Sequence, residues 1–246
     1  MMRPIALALL GLLAAAPLLA WTADAEVRIA KKAASLAPPD LRMLILKYEA
    51  EYLAGVRDAS AEERDAERHR ERTAGGPFRR EIDEQVSRAV QTVRRRDPMS
   101  ELVYQLGTIS HLVADANNPL RVGPSSLAPV ERDYEAYFAG NLRKFPTVFY
   151  GLRDGFDVSG VIGAAFERSR RFNALLEQEY HREGRRRSSA EFDDRSTAFG
   201  IASVSYSRAV SDTVNVFFYV WKEAGGDVRT AEILRRGNLL LNENVR

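Results

Sequence analysis

Cysteine is absent from this 246-residue chain. That excludes disulfides, thiolate metal sites, cysteine nucleophiles and lipid attachment through an N-terminal cysteine. Histidine is scarce, with only His69, His111 and His181, so any imidazole-based metal site must draw on these three. Lysine is scarce too, 5 residues against 31 arginines. Neither charge sign dominates: 36 basic residues face 34 acidic ones, a formal net charge of +2. So small an excess leaves no electrostatic footprint for double-stranded nucleic-acid readout. A glycine-rich phosphate cradle is missing, as is a serine motif with a histidine base. What is present is ample apolar material, 45% hydrophobic against 28% charged residues, which excludes a disordered chain and suffices for one core.

Arg3 precedes an uncharged, Leu/Ala-rich stretch from Pro4 to Ala20. Its apolar part is shorter than the ~20 residues of a membrane span and ends in small residues, so it reads as a secretory signal peptide. Residues 1–20 are therefore expected to be removed, leaving an all-α domain over 21–246 in an extracytoplasmic protein without a membrane anchor. Cleavage after Ala20 leaves Trp21 first, whereas cleavage after Ala25 discards it.

The remainder reads as helical. A helix is predicted over Leu41–Leu53 after Pro38-Pro39-Asp40, and Asp58–Thr73 is charged and aperiodic. Phe78–Arg95 is predicted as a solvated helix. Asp97-Pro98 opens another, with Asp97 as cap and Met99, Val103, Leu106, Ser110 and Val113 as the inward stripe. Further helices are expected over Val130–Leu142, Ser159–Tyr180 and Ser196–Ala224, the last stopped by Gly225-Gly226. Arg185-Arg186-Arg187 reads as an exposed turn and Arg94-Arg95-Arg96 as a solvated face. Phe217, Phe218, Tyr219 and Trp221 read as core. The expected architecture is a single-domain, all-α multi-helix bundle.

The stretch from Leu106 to Leu120 carries the chemistry. His111 and Asp115 are four apart and share one helix face, with Gly107 a turn earlier leaving room for a ligand or another backbone. An imidazole nitrogen with a carboxylate oxygen suits zinc, and the same spacing also suits a hydrogen-bonded pair at a helix end. Tyr104 and Tyr134 either line the site or pack in the core.

Leu106-Gly107, His111, Asp115 and Pro119 reproduce most of the signature helix Leu-Gly-x-x-x-His-x-x-x-Asp-x-x-x-Pro-x-His. In this the chain resembles the zinc-dependent phospholipases C and the related secreted single-strand nucleases. The resemblance implies one complete zinc site from Asp58, His69, His111 and Asp115. It implies weaker ligands at Trp21, Glu26 and Glu135, because Glu26, Arg121 and Glu131 stand where the family has histidines. An arginine cannot ligate a metal. Arg121 is instead expected to occupy the place of a lost cation and pair with Glu131 and Glu135. His181 lies outside the motif.

By this resemblance the expected activity is phosphodiester hydrolysis on a phospholipid or nucleotide, with one tight zinc ion. Asp115 would orient water and Arg121 would hold phosphate. The alternative is a non-catalytic binding or scaffolding protein stabilised by the same metal.

Overall fold

The computed structural model describes residues 21–62, 71, 76–123, 125–182, 184–229 and 239–241. The expected signal segment, residues 1–20, lies outside them. The chain is an all-α multi-helix bundle. Its helices are α1 (Ala23–Ser35), α2 (Pro39–Lys47), α3 (Glu49–Glu62), α4 (Pro77–Arg94), α5 (Met99–Ala116), α6 (Glu131–Asn141), α7 (Val158–Tyr180) and α8 (Thr197–Glu223). Among the described residues four short strands accompany them: β1 (Thr147–Phe149), β2 (His181–Arg182), β3 (Arg185–Arg186) and β4 (Leu239–Leu241). β1 pairs antiparallel with β4, and β2 with β3.

α5 is the axis of the bundle, packing against α1, α3, α4, α7 and α8. From Ile109 to Ala116 each of its residues is buried, so this half has no solvated face. Two adjoining apolar clusters flank it. One gathers α3, α4 and the C-terminal half of α8, and the other gathers α1, α6 and the N-terminal half of α8. Each fully buried leucine, isoleucine or phenylalanine in them contributes about 1.5–3 kcal/mol.

α3 and α5 approach each other closely at two glycines. A Cβ on Gly107 would lie 2.1 Å from the Tyr52 carbonyl oxygen, and one on Gly55 would lie 2.0 Å from that of Tyr104. The room beside Gly107 is thus filled by another backbone. Across the same crossing the buried Tyr52 hydroxyl donates to the Ala30 carbonyl at 2.9 Å and is hydrogen-bonded to Ser110 Oγ at 2.8 Å.

Several sequence expectations need correction. The helix predicted over Leu41–Leu53 is broken at Tyr48 (φ −116°, ψ 40°), giving α2 and α3. α4 is not simply solvated, because Phe78, Ile82, Val86, Ala89 and Val90 bury one face. Its many charges mask an apolar stripe at helical spacing. Asp97 does not cap α5: the helix begins at Met99 with Pro98 at the cap and no side-chain cap bond. The N-terminus of α8 follows expectation, with Ser196 Oγ accepting from the Phe199 amide at 3.1 Å. So does its end, where Gly225 takes φ +83°.

The glycine crossing generates a stability prediction. Gly107→Ala should cost about 1–3 kcal/mol, because backbone rather than a movable side chain blocks the methyl. In a chain of this size that lowers Tm by about 3–10 °C. Gly140 on α6 has open space around its would-be Cβ, so Gly140→Ala should leave Tm unchanged or raise it slightly. Thermal melts of both variants check the contrast.

Candidate metal centre

The candidate centre forms where α1 crosses the C-terminal half of α5. His111 and Asp115 project from one face of α5, and α1 adds Glu26 from its buried face with Ala25, Ile29, Ala30 and Ala33. His111 Nδ1 lies 3.3 Å from Glu26 Oε1, and Nε2 lies 3.5 Å from Asp115 Oδ2. Relative exposures are 2% for Glu26, 1% for His111 and 0% for Asp115. One potential ligand atom from each residue lies within 4.8 Å of the others, so the group could hold a metal ion.

The chemistry of this donor set fits a cation. Burial raises the Glu26 carboxyl above the ordinary carboxylate range, and the nearby Asp115 charge adds to this. His111 and a hydrogen bond from Ser60 pull the other way. Two carboxylates out of water need compensating positive charge, which a divalent ion supplies. An imidazole nitrogen with carboxylate oxygens is a donor set common to zinc and other divalent transition ions. One ring nitrogen faces each carboxylate, and this permits two uses of Glu26. It can ligate directly, or it can accept from Nδ1–H and fix the ring while Nε2 and Asp115 ligate, as carboxylates behind metal-bound histidines do.

The remaining predicted site residues are distributed as follows. Asp58 is exposed on α3, where it accepts from the Tyr104 hydroxyl at 3.2 Å, and it is not one of the three clustered residues. His69 lies outside the described residues. His181 is exposed after α7, with Nδ1 3.2 Å from the Glu177 carbonyl. Trp21 is 3% exposed and meets Phe138 edge-on at 4.4 Å.

Arg121, fully buried, follows α5 in a segment tied down by backbone hydrogen bonds. Its amide donates to the Asn118 carbonyl, and its own carbonyl accepts from the Glu71 amide at 2.9 Å. Glu135 on α6 is pushed up to about 8, chiefly by burial and then by the Glu131 charge, while Arg121 and Arg132 lower it. Asp115 raises it slightly. Arg121, Glu131, Glu135 and Asp115 therefore form one electrostatic neighbourhood. The expected two-pronged pairing of Arg121 does not reach Glu135 Oε1, which has no hydrogen-bond partner among the described residues.

A second polar network, not anticipated from the sequence, anchors the end of α5. Arg168 donates to Asn117 Oδ1 and Asp212 Oδ2, each at 2.7 Å. Ser169 Oγ donates to the Ala116 carbonyl, and Asn173 Nδ2 to the Pro119 carbonyl, both at 2.8 Å. α7 thereby satisfies the Ala116 carbonyl, which the helix end leaves open, and the Pro119 carbonyl of the turn beyond it. Charged residues on a sequence-amphipathic α7 gave no specific sign of this role. Glu26, one of the weaker ligands that the resemblance implied, is instead one of the three clustered residues and sits on the buried face of α1.

Because the folded pKa of Glu26 lies above its unfolded value, its protonated form favours folding. That contribution is present at low pH and lost as pH rises through the folded pKa. In metal-free protein near neutral pH, Glu26→Gln should therefore hold or raise Tm. The same substitution should shrink the Tm rise produced by added Zn²⁺, and His111→Ala should abolish it; the wild-type rise corresponds to about 2.7 kcal/mol at a hundredfold excess over Kd. Thermal melts with and without chelator read both effects. Comparison with protein-family models, curated proteins and solved structures found no match to this chain.

Proposed function

We propose that this chain is a metal-dependent phosphoester hydrolase of the phospholipase C-like kind. It would act outside the cytoplasm on the phosphodiester of a phospholipid or nucleotide, with zinc as its metal. The observation that carries this reading is the buried convergence of Glu26, His111 and Asp115. Among the described residues three protein donors converge, the number that catalytic zinc sites use, whereas closed structural sites use four. Zinc held there would supply Lewis acidity and a water of lowered pKa. Asp115 would help to hold the ion or serve as proton acceptor beside it. Arg121 supplies a fixed positive charge for phosphoryl oxygens close to Glu131 and Glu135. Neither role requires a transmembrane segment, and no described helix is long and apolar enough to cross a membrane.

A second reading, a metal-stabilised binding or scaffolding protein, is favoured by one observation. All three donors are almost wholly buried, as in a structural site. Turnover separates the two. The zinc-loaded protein should hydrolyse bis(p-nitrophenyl) phosphate or phosphatidylcholine vesicles. His111→Ala should lower kcat/KM by more than about 100-fold, since even residues that only support ligands cost 10–100-fold. Zinc-dependent Tm without turnover on either substrate would instead establish the scaffold.

A further inference from the structure

The outer face of α1, turned away from the His111 cluster, carries a concentration of positive charge. A groove of about 680 Å³, open to solvent, lies between α1 and the C-terminal end of α6. Arg28, Lys31 and Lys32 from α1 and Arg143 from just beyond α6 line it, and Asp24 is the one carboxylate in that lining among the described residues. On α1 these side chains recur at helical spacing opposite the buried face of Ala25, Glu26, Ile29, Ala30 and Ala33.

This imbalance is local. The whole chain has a formal net charge of only +2, yet the groove holds four cations against one acid and 2 of the 5 lysines. A groove on α4 shows the contrast, because there Arg80 and Arg88 are matched by Glu81 and Glu84. Two of the α1 cations have fixed partners. Arg28 Nε donates to the Tyr206 hydroxyl at 3.1 Å, which anchors the guanidinium at the contact with α8. Lys31 Nζ lies 2.8 Å from Glu49 Oε1, and both side chains are half exposed. So exposed an ion pair is weak enough to yield to a competing anion.

Size and chemistry define what such a groove takes. Its volume falls in the range of about 300–1,000 Å³ typical of small-molecule sites, well above what an inorganic ion fills. Ammonium and guanidinium groups both donate to phosphate oxygens. Val27, Ala139 and Leu142 add apolar lining suited to an organic portion. We propose that this groove binds a small organic phosphate, with its phosphoryl group among the four cations and its organic part on the apolar lining. Nucleotides and phospholipid headgroups both supply that chemistry. The site is separate from the metal centre and does not rest on the proposed hydrolase reading.

Isothermal titration of the full chain tests the assignment, with chelator present so that no phosphate is held through a metal. ADP and dihexanoyl phosphatidic acid are titrated separately, and the tighter of the two identifies the source. Saturable binding is expected, more than about tenfold tighter than that of inorganic phosphate because the apolar lining adds to it. Lys32→Glu and Arg143→Glu, one on each side of the groove, should each weaken it by more than about tenfold. Neither position is buried, so both variants should fold, as thermal melts verify. Arg88→Glu on α4 makes the same change of charge and should leave the affinity within about twofold, since screening confines such effects to short range. Failure of both compounds to bind overturns the proposal, as does binding that survives both groove substitutions. Equal weakening by Arg88→Glu would reveal diffuse surface attraction and also overturn it. Citrate or inorganic phosphate bound as tightly as either compound would overturn the organic-phosphate assignment.

Discussion

The close crossing of α3 and α5 at Gly55 and Gly107 is the contact on which the rest of the bundle depends. Two backbones can approach this nearly only where neither carries a Cβ, and the approach seals one side of α5 along its buried half. With α3 pressed so close, Tyr52 reaches both Ala30 on α1 and Ser110 on α5. One phenol thus joins three helices just above the polar residues of the candidate centre. Loosening the crossing would admit water to side chains whose electrostatics depend on its exclusion.

Burying ionisable groups in such an environment is costly unless they compensate one another. The molecule arranges its buried charges in two sets along the end of α5. On one side Glu26, His111 and Asp115 converge, with Arg121, Glu131 and Glu135 in electrostatic reach. On the other, Arg168 spans Asn117 and Asp212. The second set is closed by direct hydrogen bonds at 2.7 Å and serves to hold the helix end. The first carries an excess of carboxylate around a single imidazole and a single guanidinium, and this marks it as the set suited to an added cation.

Much of the fold was legible because helical periodicity is a local property. The His111/Asp115 pairing followed from spacing alone, as did the extents of α6, α7 and α8 to within a residue or two. The break at Tyr48 was not legible, since apolar spacing runs through it. α4 was misjudged because its charges outnumber its apolar residues, although the stripe is enough to build a core face.

Sequence by itself determined that the chain is helical, that imidazole chemistry is confined to three residues, and that His111 and Asp115 share a face, because these depend on composition and on a period of 3.6. Tertiary structure decided which distant residue joins them. Glu26 lies 85 positions before His111, and no local rule brings α1 onto α5. It likewise decided that the space beside Gly107 belongs to a neighbouring backbone, and that Asp58 sits on the surface with Tyr104. Both outcomes depend on how whole helices pack, a matter of shape and excluded volume summed over many residues.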